Sequence, residues 1–193
     1  MRTFTKAVLL STALLSAGSA TFAQDASMTL ADNAMAASNF TTLVAAVQAA
    51  GLGETLMGEG PYTVFAPSND AFAIADQAMI AELMLPENQE QLATLLKAHI
   101  VPGLYMAADF EKAIGAGQNT DAADVNLMVT DGVIDMDTLA VANGDIFVRL
   151  NGDKYEISGD MNNMTQATIV QADVMSSNGV IHVIDHVLMP VAN

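Results

Sequence analysis

The sequence predicts an α+β fold, and two observations lead to that prediction. Apolar residues with helical spacing dominate the first half of the chain, and after Gly117 short β-prone runs take over, separated by Gly, Asn and Asp. Helices followed by a run of strands are typical of α+β domains. The chain has 193 residues, which is long enough for a substantial core. No internal repeat is visible, so one domain is expected.

The first 23 residues have the three-part pattern of a secretory signal peptide. Arg2 and Lys6 give a positive start, Ala7–Leu15 is apolar, and small residues follow as far as Ala23. The apolar stretch is too short to span a bilayer, which takes about 20 residues. We expect cleavage after Ala23, with cleavage after Ala20 as the alternative. An uncleaved N-terminal anchor is the other possibility. The sequence thus predicts Sec export, a secreted or periplasmic location and no transmembrane segment in the mature chain.

The composition excludes several classes of protein. The chain has 22 Asp and Glu but 6 Lys and Arg, for a formal net charge of −16, and it has no cysteine. Without cysteine there is no disulfide scaffold and no thiolate metal site. Because Lys and Arg make most phosphate contacts, so acidic a chain is not expected to bind nucleic acid.

Residues 24–37 carry little periodic signal and are interpreted as a lead-in to a domain over residues 38–191. Ser38 is expected to cap the first helix of that domain, and Gly51 is expected to end it. A short turn or helix follows over Glu54–Met57. The apolar face of the first helix is predicted to contain Phe40, Leu43, Val44 and Val47.

A short strand is predicted next, over Tyr62–Ala66, with Pro67 at its end. Ser68 or Asn69 can cap a helix that starts near Asp70. That helix is expected to continue with Phe72, Ala75 and Met79 on one face. Beyond Pro86, helices are predicted over Glu87–Ala98 and Ala107–Ile114, with a break at Pro102-Gly103 between them.

The second half is predicted to form six strands. Asn-Gly and Asp-Gly pairs separate several of them and favour tight turns, most clearly at Asn151-Gly152. The last strand is apolar on both faces, which is typical of an inner strand, so its polar residues His182 and Asp185 need hydrogen-bond partners. The predicted strands are Val125–Val129, Val133–Met136, Ile146–Leu150, Tyr155–Ile157, Thr168–Val174 and Val180–Leu188.

Three stretches, in this order, resemble the fasciclin (FAS1) domain. They are Thr63–Phe72 (TVFAPSNDAF), Leu95–Gly103 (LLKAHIVPG) and Asn178–Pro190 (NGVIHVIDHVLMP). The resemblance covers roughly residues 37–191. It implies a seven-stranded β-wedge or sandwich with helices packed on one side. It also implies a secreted or surface-attached adhesion or matrix module from a family with no common catalytic site.

The first and last stretches are interpreted as structural motifs. In the first, a strand passes into a capped helix, and in the last, a turn passes into the inner strand. The residues expected to have these structural roles are Thr63, Phe65, Pro67, Ser68, Asn69, Phe72, Asn178, Gly179, His182 and Asp185.

The middle stretch supplies the candidate binding residues. Many FAS1 domains carry Tyr-His before the Val-Pro-Gly turn, and the resemblance ties that pair to partner binding in some members. Here the pair is Ala98-His99, without the phenol ring and hydroxyl. His99 is either exposed near a binding edge or a hydrogen-bonding residue that holds the Pro102-Gly103 turn. The candidate binding residues are His99, Ile100, Val101, Pro102 and Gly103.

No catalytic or metal site is expected, and the chain is predicted not to be an enzyme. His182 and His186 are four residues apart, which on a strand places them about 13 Å from each other, too far to share a metal ion. No G-x-S-x-G nucleophile elbow occurs. The acidic residues Asp131, Asp135, Asp137 and Asp145 lack the spacing of an EF-hand and are ordinary turn residues.

These observations favour a binding or adhesion module, monomeric or weakly oligomeric and without a cofactor. Its partners would be extracellular or envelope proteins or polysaccharides. The alternative is a carrier of an apolar small molecule, such as a carotenoid or a lipid. It is motivated by 13 methionines in a chain whose aromatic content is 5%. A third hypothesis is an envelope hydrolase or metal enzyme that acts through His99 or His182.

Overall fold

The computed structural model describes residues 27–75, 77–116, 120–122, 125–130, 133–139, 145–159 and 167–188. The predicted signal peptide lies outside these ranges, as do the predicted turns at Asp131-Gly132 and Asn143-Gly144. The described residues form helices first and then mostly strands, so the α+β prediction is confirmed. None of the helices in these ranges combines the length and the apolar character needed to cross a bilayer.

Most helices precede residue 100, and two short 3-10 turns, Ser38–Phe40 and Pro86–Asn88, interrupt them. The helices in the described ranges are α1 Leu30–Ala36, α2 Thr41–Ala49, α3 Gly53–Met57, α4 Asn69–Ile74, α5 Gln77–Leu83, α6 Gln89–Lys97 and α7 Ala107–Ala116.

The described strands form one continuous sheet in the order β2-β1-β9-β8-β7-β6-β5-β4-β3. β1 and β9 are parallel, and all other neighbours in this order are antiparallel. The strands are β1 Tyr62–Pro67, β2 Ile100–Pro102, β3 Thr120–Ala122, β4 Val125–Thr130, β5 Val133–Asp137, β6 Asp145–Asn151, β7 Lys154–Ser158, β8 Ala167–Ser176 and β9 Gly179–Ile184.

The expected seven-stranded architecture corresponds to the seven longer strands. β2 and β3 have three residues each and lie at the two edges of the sheet. The sheet curls, because the Leu139 N–H donates to the Ile100 carbonyl at 2.8 Å and so joins the end of β5 to β2. The result is a nearly closed sheet with helices packed alongside it.

β1 and β9 separate two apolar cores. Val64 and Ala66 of β1 and Val183 of β9 face the core formed with helices α1 to α6. Phe65 and Ile184 face the second core, which fills the space between these strands and β5 to β7. All six residues of β9 are buried, so the predicted inner strand is confirmed.

The start of α2 differs from the prediction. Ser38 was expected to be its cap, but Ser38 lies in a 3-10 turn and α2 begins at Thr41. The cap comes from a distant residue, since the Thr42 N–H donates to Asn69 Oδ1 at 3.1 Å. The helix ends as predicted, at Gly51, whose φ of 71° suits glycine.

The helix predicted from Asp70 through Met79 is two helices. The backbone of Ala75 is extended, with ψ of 162°, and it separates α4 from α5. Phe72 is buried as expected. Met79 is not, because the change of direction at Ala75 ends the helical periodicity, and its exposed fraction is 44%.

The segment before residue 38 contains a helix that its weak periodicity did not predict. Thr29 and Asp32 form a reciprocal capping box at the start of α1. Leu30 and Ala31 are buried in the helical core. Residues 30–36 therefore pack as part of the folded body.

Candidate functional site

Thr63 organises the turn that follows β2. This buried hydroxyl donates to the Gly103 carbonyl at 2.9 Å and accepts from the Tyr105 N–H at 2.9 Å. The Gly103 N–H donates to the Pro61 carbonyl at 2.9 Å. Gly103 has φ of 118°, a conformation that L side chains rarely adopt, and a Cβ there would lie 2.7 Å from the Tyr105 ring. The first motif thus fixes the shape of the Pro102-Gly103 turn.

The rest of the first motif joins β1 to α4. Ser68 is the N-cap of α4, and its Oγ accepts from the Ala71 N–H at 3.2 Å. Asn69 caps α2 and also donates from Nδ2 to the Ser38 carbonyl at 3.0 Å. Pro67 is the last residue of β1. The motif therefore connects one strand to the starts of two helices.

His99 is buried, which excludes the alternative in which it is exposed at a binding edge. Its Nε2 accepts from the Leu188 N–H at 3.0 Å, so Nδ1 carries the proton and donates to the Leu95 carbonyl at 2.8 Å. Burial lowers the pKa of His99 to about 4. Thr63 holds the Pro102-Gly103 turn, and His99 instead joins the end of α6 to the segment after β9.

Burial also reduces the set of candidate binding residues. Ile100 and Val101 are buried together with His99, since β2 lies between β1 and the end of β5. Pro102 is exposed and Gly103 is half-buried. Only these two of the five predicted residues reach the surface, where Leu104 joins them with an exposed fraction of 38%.

His182 is a core histidine with both ring nitrogens occupied. Nδ1 accepts from the Asp173 N–H at 3.2 Å, and Nε2 donates to the Tyr105 carbonyl at 2.8 Å. The ring stacks on Phe65 at a centroid distance of 5.5 Å and packs against Phe110 at the same distance. Burial lowers the pKa of His182. Because Nδ1 accepts a hydrogen bond, His182 is neutral, and its ring packs against Phe65 and Phe110.

The last strand is shorter than predicted and ends at Ile184 instead of Leu188. β1 ends at Pro67, opposite Ile184, so β9 has no parallel neighbour beyond that point. Asp185 Oδ1 accepts from the Thr168 N–H at 2.6 Å and from His186 Nδ1 at 2.9 Å. The carboxylate of Asp185 thus has hydrogen-bond donors at the end of the strand.

Asn178 joins three elements, a role that the sequence alone did not reveal. Its Oδ1 accepts from the Leu30 N–H at 2.9 Å, and its Nδ2 donates to the carbonyls of Leu56 at 2.8 Å and Gly58 at 2.9 Å. A Cβ on Gly179 would lie 2.0 Å from the Tyr62 carbonyl oxygen. The Asn-Gly pair therefore packs the β8–β9 turn against α1, α3 and β1.

Asp173 is a further residue that sequence reasoning missed. Irregular pairing in β8 places it at φ of 59°, and its Oδ1 accepts from the Ala107 N–H, at the start of α7, at 2.9 Å. A helix N-terminus favours a negative charge. No local pattern identifies this contact, because the two residues are 66 positions apart.

Three carboxylates lie together on β5 and β6. Asp137 is directly opposite Asp145 in the register, and Asp135 is on the same strand as Asp137. Burial raises the pKa of Asp145, and the charge of Asp137 raises it further. Within the described ranges, no group of three or more His, Cys, Asp or Glu side chains is arranged to hold a metal ion.

An open groove lies beside the Pro102-Gly103 turn, and we call it the turn groove. It has a volume of about 620 Å³. Its walls are the loop at Gly58–Pro61, the β8–β9 turn at Ser176–Gly179, and the side chains of Met57, Leu104 and Met175. Glu59 is the charged residue among the described residues that line it. The groove is lined mainly by apolar residues, together with the small polar residues of the β8–β9 turn.

The family follows from a comparison with known sequences. The model of the Fasciclin domain matches residues 38–190. The chain belongs to the fasciclin domain family. Protein sll1483 of Synechocystis sp. is 39% identical over 168 residues, which are 87% of this chain and 77% of that protein. Transforming growth factor-beta-induced protein ig-h3 of Sus scrofa is 34% identical over 156 residues, 80% of this chain but 18% of that protein.

Solved structures confirm the FAS1 fold of this fasciclin domain. The FAS1 domain pair of the insect cell adhesion molecule Fasciclin I matches with a TM-score of 0.64 at 16% identity. The match covers 84% of this chain and 51% of that one. The fasciclin family and the FAS1 fold occur in adhesion proteins.

Proposed function

We propose that this fasciclin domain is a secreted or periplasmic adhesion module that binds a protein or polysaccharide through the turn groove and the adjoining turn. The observation that carries this proposal is that Pro102 and Leu104 are exposed on a turn whose shape is held by hydrogen bonds. The Thr63 hydroxyl and the Gly103 N–H hold the turn against β1 and the residue before it by hydrogen bonds. Because the turn is preformed, a partner would not have to order it on binding.

The chemistry of the groove supports a partner of a particular kind. Its described walls are mainly apolar with a few small polar residues, its described charged residue is Glu59, and the chain carries a net charge of −16. Such a surface repels anionic partners and favours neutral or basic ones. A basic segment of an envelope protein and an uncharged polysaccharide both meet this requirement.

A binding role rather than catalysis is supported by what the histidines do. His99 and His182 are buried, and each uses both ring nitrogens on backbone groups. Neither is available to transfer a proton to a substrate. This feature supports the proposal that the domain is not an enzyme.

The experiment compares two variants that each remove one exposed apolar side chain. Leu104→Ser alters the turn groove, whereas Val170→Ser alters β8 at a residue that does not line it. Beads coated with each protein are incubated with cells of the source organism, and retained cells are counted. Leu104→Ser should reduce retention while Val170→Ser leaves it unchanged. Equal retention by both variants would contradict the assignment of the surface.

A further inference from the structure

A second cavity lies inside the helical layer, separate from the adhesion surface proposed above. It has a volume of about 230 Å³ and lies between α1, α2, α3 and the faces of β1 and β9. Side chains from each of these elements line it, among them Leu30, Ala34, Leu43, Leu56, Val64 and Ile181. We call it the helix cavity.

The size of the helix cavity sets it apart from ordinary packing defects. Protein interiors contain few voids larger than a water molecule. An apolar cavity of about 150 Å³ is already enough to stay dry and take up benzene. The helix cavity is larger than that, yet it is below the roughly 300–1,000 Å³ of sites for drug-sized ligands. It therefore has room for one slim molecule rather than for a carotenoid.

The mouth of the helix cavity is adaptable and nearly uncharged. Three of the residues that line it are exposed, and they are Met35, Gln48 and Met57. Methionine side chains are flexible and adjust to irregular apolar shapes. The surface that lines the cavity is almost wholly apolar.

The charges around the cavity exclude an anionic ligand. No described lining residue is charged. The charged residues of the surrounding helices are Asp32 on α1 and Glu54 on α3, both acidic and exposed, and α2 has none. A carboxylate bound in this cavity would find no cation among the described lining residues to pair with it.

We propose that the helix cavity binds one neutral, slim, apolar molecule with a hydroxyl or carbonyl group at one end, such as a medium-chain fatty alcohol. The hydrocarbon part fills the space under α1 and α2. The polar end lies at the mouth, in contact with solvent. The proposal does not rest on the adhesion function, although Met57 lines both the helix cavity and the turn groove.

The test uses the full chain and decanol, followed by NMR of methyl-labelled methionines. The Met35 methyl signal should shift in a saturable way, because Met35 lines the cavity and not the turn groove, whereas the signal of Met175, which lines the turn groove and not the cavity, should not shift. The Met79 methyl signal should not shift, since this exposed residue does not line the cavity. Equal shifts at Met79, or no saturation, would mean non-specific association and would overturn the proposal.

Two further comparisons test the position of the binding site and the requirement for an uncharged end of the ligand. Ala34→Leu places a larger side chain in the cavity and should weaken decanol binding by at least about tenfold. Ala36→Leu makes the same change at an exposed position of the same helix and should leave binding within about twofold. If Ala34→Leu binds decanol as tightly as the parent, and thermal unfolding shows that the variant is folded, the helix cavity is not the binding site. Decanoate binding as tightly as decanol would overturn the requirement for a neutral end.

Discussion

The side-chain amide of Asn69 caps a helix that begins 28 residues before it, by accepting the Thr42 N–H at 3.1 Å. The same amide donates to the Ser38 carbonyl, so one side chain fixes the 3-10 turn and the first turn of α2 together. Asn69 itself is the first residue of α4. The starts of two helices are therefore locked to each other next to the end of β1.

This contact predicts a difference between Asn69 and Ser38. Asn69→Ala leaves the α2 N-terminus without its cap and should lower the free energy of unfolding by about 0.5–2 kcal/mol. Ser38→Ala removes an exposed hydroxyl that bonds only its neighbour Asn39 and should change it by less than about 0.5 kcal/mol. Urea denaturation of both variants measures the difference. Equal losses would contradict the capping role of Asn69.

Acid should destabilise the domain through its buried histidines. The pKa of His99 falls from 6.5 to about 4 on folding, so the unfolded chain binds more protons between these values. Stability is therefore complete above pH 6.5 and is lost as pH falls toward 4, at up to about 1.4 kcal/mol per pH unit for this residue. The lowered pKa of His182 acts in the same direction.

Denaturation curves at several pH values test this dependence against matched variants. His99→Gln should be less stable than the parent at pH 7 and should lose less stability on acidification. His186→Gln changes an exposed histidine outside both cores and controls for the replacement of a histidine as such. A pH dependence that is identical in His99→Gln and the parent would disprove the role of His99.

The pairing of Asp137 with Asp145 should cost stability at neutral pH. Like charges directly opposite each other on adjacent strands are destabilising, so Asp145→Asn should raise the free energy of unfolding by about 0.2–1 kcal/mol. The raised pKa of Asp145 means that the cost is present above that pKa and disappears as the carboxyl is protonated on acidification.

A control separates this local effect from the general charge of the chain. Glu82→Gln removes one charge from an exposed position on α5, away from the carboxylate cluster. Thermal unfolding of both variants at pH 7 and at pH 4 gives the comparison. If both substitutions stabilise equally, net charge rather than the pair is responsible.

The two turn glycines should differ in their tolerance of alanine. A Cβ on Gly179 would lie 2.0 Å from the Tyr62 carbonyl oxygen, so Gly179→Ala must displace β1 or β9. Gly152 has open space around it and φ of 64°, so Gly152→Ala should cost only the backbone strain, about 1–2 kcal/mol. Gly179→Ala should cost more. A smaller loss for Gly179→Ala in urea denaturation would contradict the close approach of the two strands.

Local patterns predicted the elements well where one residue type dictates the backbone. Gly51 ended α2, Ser68, one of the two predicted caps, capped α4, and apolar residues on both faces identified β9 as an inner strand. The strand end at Ile184 was missed, because it depends on where β1 stops and not on any residue of β9 itself. The break at Ala75 was missed for a related reason, since alanine carries no signal for an extended backbone.

The candidate site was harder to predict, since it depends on contacts between distant residues. The motif around His99 could be found in the sequence, but its burial depends on Leu188, 89 residues further along the chain. The bonds of Asn178 to Leu30 and Leu56 also join distant parts of the chain. A single sequence contains no record of such pairings, so it identified the turn but not the side chains that hold it.

The parallel pairing of β1 with β9 affects how this protein reaches its native state. These two strands come from opposite ends of the fold, yet they separate both cores and contribute residues to each. Neither core can be completed until the last strand has been synthesised, and such long-range pairing makes folding slow. A chain that still lacks β9 leaves both cores open, so the domain forms as one unit only once its last strand is present.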